Sequence, residues 1–114
     1  MGRKNQITNF KINNLENIIY HITEKNYLET QLKSGQYLSS DFSVEGFIHL
    51  STKTQVENSL IRHFAGKKGL VLLQIDYEKL AEIIKYEEAT NGELFPHCYG
   101  PIPIDAIMMV EEIN

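Results

Sequence analysis

Apolar positions recur along the chain in two rhythms, and the changes between them mark the elements. Residues 18–22, Ile18-Ile19-Tyr20-His21-Ile22, form a short β-branched and aromatic run of strand character. Thr23 then has the side chain of a helix cap, and Tyr27, Leu28 and Leu32 fall on one helical face. This predicts a helix over roughly 24–34, ended by Gly35. Residues 36–45, QYLSSDFSVE, read as a serine-rich loop leading into a second strand, Gly46-Phe47-Ile48-His49-Leu50-Ser51. Thr52 and Gln55 have capping-box spacing. The helix that follows, about 53–65, has Val56, Leu60 and Phe64 at i, i+4 and i+8 as its buried face and stops at Gly66. Leu70 to Ile75 is almost continuously apolar between Gly69 and Asp76, as in a strand covered on both faces. A helical turn after Asp76, a strand near 83–87, an Asn91-Gly92 turn and a closing strand over 106–113 complete the pattern. The segment 93–105, ELFPHCYGPIPID, holds all three prolines and is expected to be largely irregular.

Strands and helices mix here without a regular βαβ alternation, which predicts an α+β domain over 18–114. Residues 1–17 are polar and asparagine-rich, with isolated Ile7, Phe10, Ile12 and Leu15. They read as an extension, partly disordered or lightly docked. At 114 residues, 42% hydrophobic and 23% charged, the chain can bury a core without staples. A net charge of −4 argues against broad electrostatic binding of nucleic acid but leaves room for a local basic patch. Cys98 is the only cysteine, so no intrachain disulfide forms and a reducing cytoplasm is the expected location. The apolar runs are far shorter than a membrane span, and the N-terminus lacks the apolar stretch of a signal peptide.

Four histidines carry the candidate chemistry. His63 sits late on an amphipathic helix, where the helix dipole favours a surface histidine. The other three lie at strand ends or in a rigid loop, where scaffolds expose working groups: His21 ends a strand, His49 lies inside one, and His97 follows Pro96. Each, taken singly, is more often a hydrogen-bonded structural histidine than a functional one. Strand alternation puts Phe47, His49 and Ser51 on one side and Ile48 and Leu50 on the other, while Tyr20 and Ile22 oppose His21. A polar and aromatic face of this kind suits a small planar ligand. Both histidine strands lead into hydroxyl residues at a helix start, Thr23 and Ser51-Thr52, where free N–H groups favour anions such as phosphates.

Zinc would need ligand spacings such as Cys-x-x-Cys, His-x-x-x-His or His-Glu-x-x-His, and none is present, so no metal site is expected. Cys98 beside His97 reads as a packing residue, since sequence neighbours seldom face each other. Phosphate loops, dinucleotide fingerprints and nucleophile elbows are all missing.

Three blocks together carry a resemblance: Ile19-Tyr20-His21-Ile22, then Gly46-Phe47-Ile48-His49-Leu50-Ser51-Thr52, then Gly92-Glu93-Leu94-Phe95-Pro96-His97-Cys98-Tyr99-Gly100-Pro101-Ile102. In order and content, over about 18–113, they resemble the domain-of-unknown-function family 952, grouped with the ADP-ribosyltransferase-like fold. Tyr20-His21-Ile22-Thr23 looks like the first-strand histidine motif of NAD-binding transferases, in which the histidine contacts the nicotinamide-side ribose. Phe47-Ile48-His49-Leu50-Ser51 looks like the corresponding strand of RNA 2′-phosphotransferases, and Arg62-His63 through Ile75 resembles the segment that follows it there. Asn91-Gly92 and Pro101-Ile102-Pro103 are similar to their late segment. Two departures stand out. The tail is too short for the extra phosphotransferase lobe with its catalytic Arg and His, and Glu87, Glu88 and Glu93 do not stand in the context of the transferase glutamate.

The resemblance implies a split sheet core with two main helices and a cleft for NAD or an ADP-ribose-like nucleotide, or for an RNA end, with no cofactor required. It assigns His21, His49, His97 and Glu93 to catalysis, with Glu93 or His97 as acid or base, and Tyr20, Thr23, Phe47, Ser51, Thr52, Arg62 and Tyr99 to binding. The rival readings are a binding module without turnover, a metal-dependent hydrolase using the three histidines, and three structural histidines. Their shared discriminant is whether His21, His49 and His97 meet in one open cleft.

Overall fold

The nearly continuous apolar run Leu70 to Ile75 lies in the middle of a sheet, as its pattern predicts. In the computed structural model, which describes residues 17–114, the chain forms β1 (Ile18–Glu24), α1 (Lys25–Leu32), β2 (Gln36–Tyr37), α2 (Phe42–Glu45), β3 (Ile48–His49), α3 (Val56–Phe64), β4 (Leu70–Asp76), β5 (Ile84–Glu88), β6 (Leu94–Cys98), β7 (Ile102–Pro103) and β8 (Ile107–Glu112). Short 3₁₀ turns occupy Lys53–Gln55, Tyr77–Ile83 and Ile104–Ala106. β4 is the centre of an antiparallel sheet ordered β1-β4-β8, and a second antiparallel sheet runs β3-β6-β5. β2 and β7 form a two-stranded ribbon. The fold is therefore α+β with antiparallel sheets. None of its helices is long and apolar enough to cross a membrane, among the described residues.

Leu70, Val71, Leu73 and Ile75 of β4 are all buried, and the last three pack with Ile19, Ile48, Leu50, Cys98 and Ile102 into one core. At about 25 cal/mol per Å² of apolar surface, such burial is the main stabilising term. β8 is the outer strand, and Met108, Met109 and Val110 there remain about half exposed. The expected extension 1–17 lies outside the described residues except for Asn17. Its carbonyl accepts from the Tyr77 N–H at 2.8 Å, and its amide donates to Glu78 Oε2 at 3.0 Å.

Four expectations need correction. Thr23 caps no helix: it stays in β1 opposite Val71, and α1 starts after Glu24, with the Lys25 N–H satisfied by the Gly69 carbonyl at 2.8 Å. The serine-rich stretch 36–45 contains β2 and the single turn of α2, which ends at Gly46 in the left-handed conformation (φ 83°) that glycine adopts without strain. Val56, Leu60 and Phe64 are only half-buried, and no residue of α3 is fully buried, because this helix lines a cleft instead of sealing the core. The proline-containing segment 93–105 supplies β6, the middle strand of its sheet, and β7. Pro96 is tolerated because its carbonyl, which accepts from Leu50 N–H at 3.0 Å, and its missing donor face the side where β3 has already ended. The expected capping box is present, with the Thr52 N–H donating to Gln55 Oε1 at 3.0 Å.

Candidate functional site

The backbones of the two sheets pair at one point among the described residues. Tyr20 of β1 and Ser51, just past β3, exchange reciprocal N–H···O bonds of 2.8 Å each. A cleft of about 910 Å³ opens over this junction, a size ordinary for small-molecule sites. β1 contributes His21 and Thr23, the β3 segment contributes His49 and Ser51, and β6 contributes His97. One wall is the stretch Ser39 to Glu45 around α2, a second is the inner side of α3 with Ser59, Arg62 and His63, and a third is the β5–β6 hairpin. The three histidines singled out from the sequence thus line one cleft, together with Thr23, Ser51 and Arg62.

His21 is 8% exposed, and both its ring nitrogens are bonded within the protein. Nδ1 lies 2.6 Å from the His49 carbonyl, which can only accept, so the proton sits on Nδ1. Nε2 is then an acceptor for the Tyr37 hydroxyl at 2.8 Å, and that oxygen lies 3.1 Å from Thr23 Oγ1. Burial pulls the His21 pKa down to about 4, against the opposing effects of the His49 carbonyl and the Asp41 charge. His21 is therefore neutral at pH 7. Burial likewise pushes the Tyr37 hydroxyl upward, so it stays protonated.

His49 and His97 are held differently. They oppose each other in register across β3 and β6, with ring centroids 5.2 Å apart and planes at 79°. His49 Nε2 lies 2.9 Å from Glu45 Oε1, and His97 Nδ1 lies 2.7 Å from Glu87 Oε1. The second nitrogen of each ring has no hydrogen-bond partner among the described residues. Phe47 stacks on His97 at 3.9 Å and 14° and meets His49 edge-on at 4.7 Å, as the alternation of that strand requires. Tyr99 donates to Glu87 Oε1 at 2.5 Å. This bond and the one to His97 hold the Glu87 carboxyl below its ordinary range, so it is an anion at neutral pH.

Several other residues picked from the sequence stand behind the cleft or outside it. Phe47 and Tyr99 support His97 and Glu87, while Tyr20 is buried in the junction between the sheets. Thr52 caps the 3₁₀ turn. Glu93 receives bonds from Gln55 Nε2 at 3.0 Å and Asn91 Nδ2 at 3.4 Å and does not line the cleft. Sequence reasoning passed over Glu45 and Glu87 as histidine partners. The Asn91-Gly92 turn carries the signal for Glu87, because the hairpin it closes pairs Lys85 with His97 and Glu87 with Phe95, leaving Glu87 diagonal to His97. Tyr37 and Ser39 lay in the stretch read as loop. Ser39 is 8% exposed, and its Oγ has no hydrogen-bond partner among the described residues.

The electrostatics are mixed. Asp41 and Glu45 lie on one wall and Arg62 and Lys67 on another, and Arg62 makes no ion pair among the described residues. No group of three or more His, Cys, Asp or Glu side chains is placed to hold a metal ion, among the described residues. Burial raises the Cys98 thiol above its ordinary value, and it is enclosed in the core.

The family described as "Protein of unknown function (DUF952)" matches residues 22–110. The crystal structure of protein CC0527 from Caulobacter crescentus is similar to this chain, with a TM-score of 0.80 at 30% identity over 85% of this chain and 86% of that one. The solution NMR structure of CC0527 gives a TM-score of 0.75 at 29% identity over 86% and 85%. No curated protein matches.

Proposed function

The chain belongs to the DUF952 family, and from the arrangement of its cleft we propose that it binds a ribose-bearing nucleotide of the NAD or ADP-ribose type, in an ADP-ribosyltransferase-like split of two sheets. The observation that carries this reading is the convergence of His21, His49 and His97 on one cleft. Around them, Thr23, Ser51 and Ser59 offer hydroxyls to ribose, and the unpaired Arg62 offers a fork of donors to phosphate. With both nitrogens engaged, His21 shapes the floor, leaving His49 and His97 to meet the ligand. His97 replaces Glu93 as the acid or base, because geometry comes before pKa in assigning such a role.

Calorimetry with NAD, ADP-ribose and a 2′-phosphorylated RNA end tests the reading. One saturable site for NAD or ADP-ribose is expected, with Arg62→Gln weakening it by about tenfold to a hundredfold, the value of a charge-assisted hydrogen bond. Absence of binding by all three overturns it. A second reading, binding without transferase turnover, is favoured by the position of Glu93, tied outside the cleft by Gln55 and Asn91. Saturable NAD binding with no release of nicotinamide on long incubation selects that reading.

A further inference from the structure

We infer that His49 and His97 are an acid–base pair for phosphate-ester chemistry, and that the ester is a nucleoside 2′,3′-cyclic phosphate opened by water. The inference rests on the nucleotide reading of the cleft and adds the substrate class and the bond. Its basis is the cross-strand pair itself. Two imidazoles with centroids 5.2 Å apart line one cleft, and each has one nitrogen fixed by a carboxylate and the other unpartnered among the described residues. Such a pair takes a proton at one point and gives one at another a few ångströms away. That is what exchange of two oxygens on one phosphorus requires.

The groups bonded to the two imidazoles and the donors across the cleft suit a phosphorus centre. Cleavage through an oxocarbenium-like state is served by a carboxylate facing the developing positive charge. Here Glu45 and Glu87 are bonded to the imidazoles and Glu93 is outside the cleft, which leaves that role only to Glu24, Asp41 or Glu88 of the lining. The unpaired Arg62 and the Ser51–Ser59 hydroxyl pair, 2.9 Å apart, suit a centre that gains negative charge. A cyclic phosphate needs only water as co-reactant.

Burial divides the roles. The His97 side chain is 13% exposed and is gripped by Glu87 and Phe47, whereas the His49 side chain is 53% exposed. With its Nδ1–H donated to Glu87, neutral His97 presents the Nε2 lone pair and takes a proton from water. The water oxygen bonds to phosphorus, the P–O2′ bond breaks, and protonated His49 gives its Nδ1 proton to the departing ribose oxygen. The product is the 3′-monophosphate, and solvent returns the two imidazoles to their starting protonation. Glu87 is a positioning residue in this scheme.

The experiment is incubation of the full chain with 2′,3′-cyclic AMP, following ring opening by ³¹P NMR across pH, with calorimetry of the same nucleotide in parallel. Expected are the monophosphate, a bell-shaped pH profile, and a loss of about 10²–10⁴-fold in His49→Ala and in His97→Ala. Glu87→Gln is expected to lower kcat with little change in KM. Where an alanine variant fails to fold, His49→Gln and His97→Gln give the same reading. Cyclic AMP that binds and is never opened overturns the inference while leaving the nucleotide cleft in place. So does turnover unchanged in both histidine variants. Failure of cyclic AMP, NAD and ADP-ribose all to bind overturns the cleft reading beneath it.

Discussion

His21 sits under the cleft with both ring nitrogens bonded inside the protein, whereas cleft-lining His97 gives one nitrogen to Glu87 and has no partner for the other among the described residues. The two residues are the same chemically, and both line the same cavity. The difference comes from what stands behind each ring. Behind His21 are a backbone carbonyl and a phenol, which hold the ring neutral and in place. Behind His97 are a carboxylate and a stacked phenyl ring, which fix its orientation and leave a lone pair or proton to exchange. A histidine in a cleft is thus a structural or a chemical group according to its second nitrogen.

The largest expected effect that separates them is on stability. His21→Ala removes a buried ring and leaves Tyr37 and the His49 carbonyl unpaired, and it is expected to cost about 4 kcal/mol in urea unfolding. His97→Ala is expected to cost about 1–2 kcal/mol. Equal losses would erase the distinction. The next effect is in pH. Unfolded His21 binds its proton near the ordinary value of 6.5 and the folded residue resists it down to about 4, so the unfolded chain binds more protons in between. Stability from this residue is complete above pH 6.5, falls by about 1.4 kcal/mol per pH unit below that, and is lost by pH 4, about 3 kcal/mol in all. Urea midpoints at pH 7 and pH 4.5 measure this slope, which His21→Gln is expected to remove.

Tyr37→Phe is expected to cost about 2 kcal/mol by leaving His21 Nε2 without its donor, with nucleotide affinity changed mainly through stability. Phe47→Leu removes the stacked ring behind His97 and is expected to cost about 1 kcal/mol, while loosening the ring enough to lower turnover. Smallest of all is Glu93→Gln. With that carboxylate outside the cleft, nucleotide affinity by calorimetry is expected to stay within about twofold, a difference under about 0.5 kcal/mol. A larger loss would return Glu93 to the site.

The parts of this picture legible in the sequence are those fixed by local periodicity. Leu70 to Ile75 shows its central place in a sheet directly, although Leu72 and Gln74 on its second face are only half-buried. Phe47, His49 and Ser51 show their shared face through alternation alone. The parts that were hidden depend on partners far along the chain. β6 was obscured by Pro96, which looks like a strand breaker until one knows that its missing donor faces the end of β3. Thr23 has the side chain of a cap, but its hydroxyl meets Tyr37, fourteen residues on, inside a stretch whose serines suggested a loop. The pairing of His49 with Glu45 spans a helix end and a strand start, so neither period predicts it.

The junction at Tyr20 and Ser51 carries one more consequence. The reciprocal Tyr20–Ser51 bonds and the His21 bond to the His49 carbonyl stitch β1 to the β3 segment, so the cleft floor has a seam. A nucleotide lying across that seam, with Thr23 on one bank and Ser51 on the other, acts as a splice. Hydrogen exchange should therefore slow most, on ligand binding, at the amides of Tyr20 and Ser51, the two that bridge the seam.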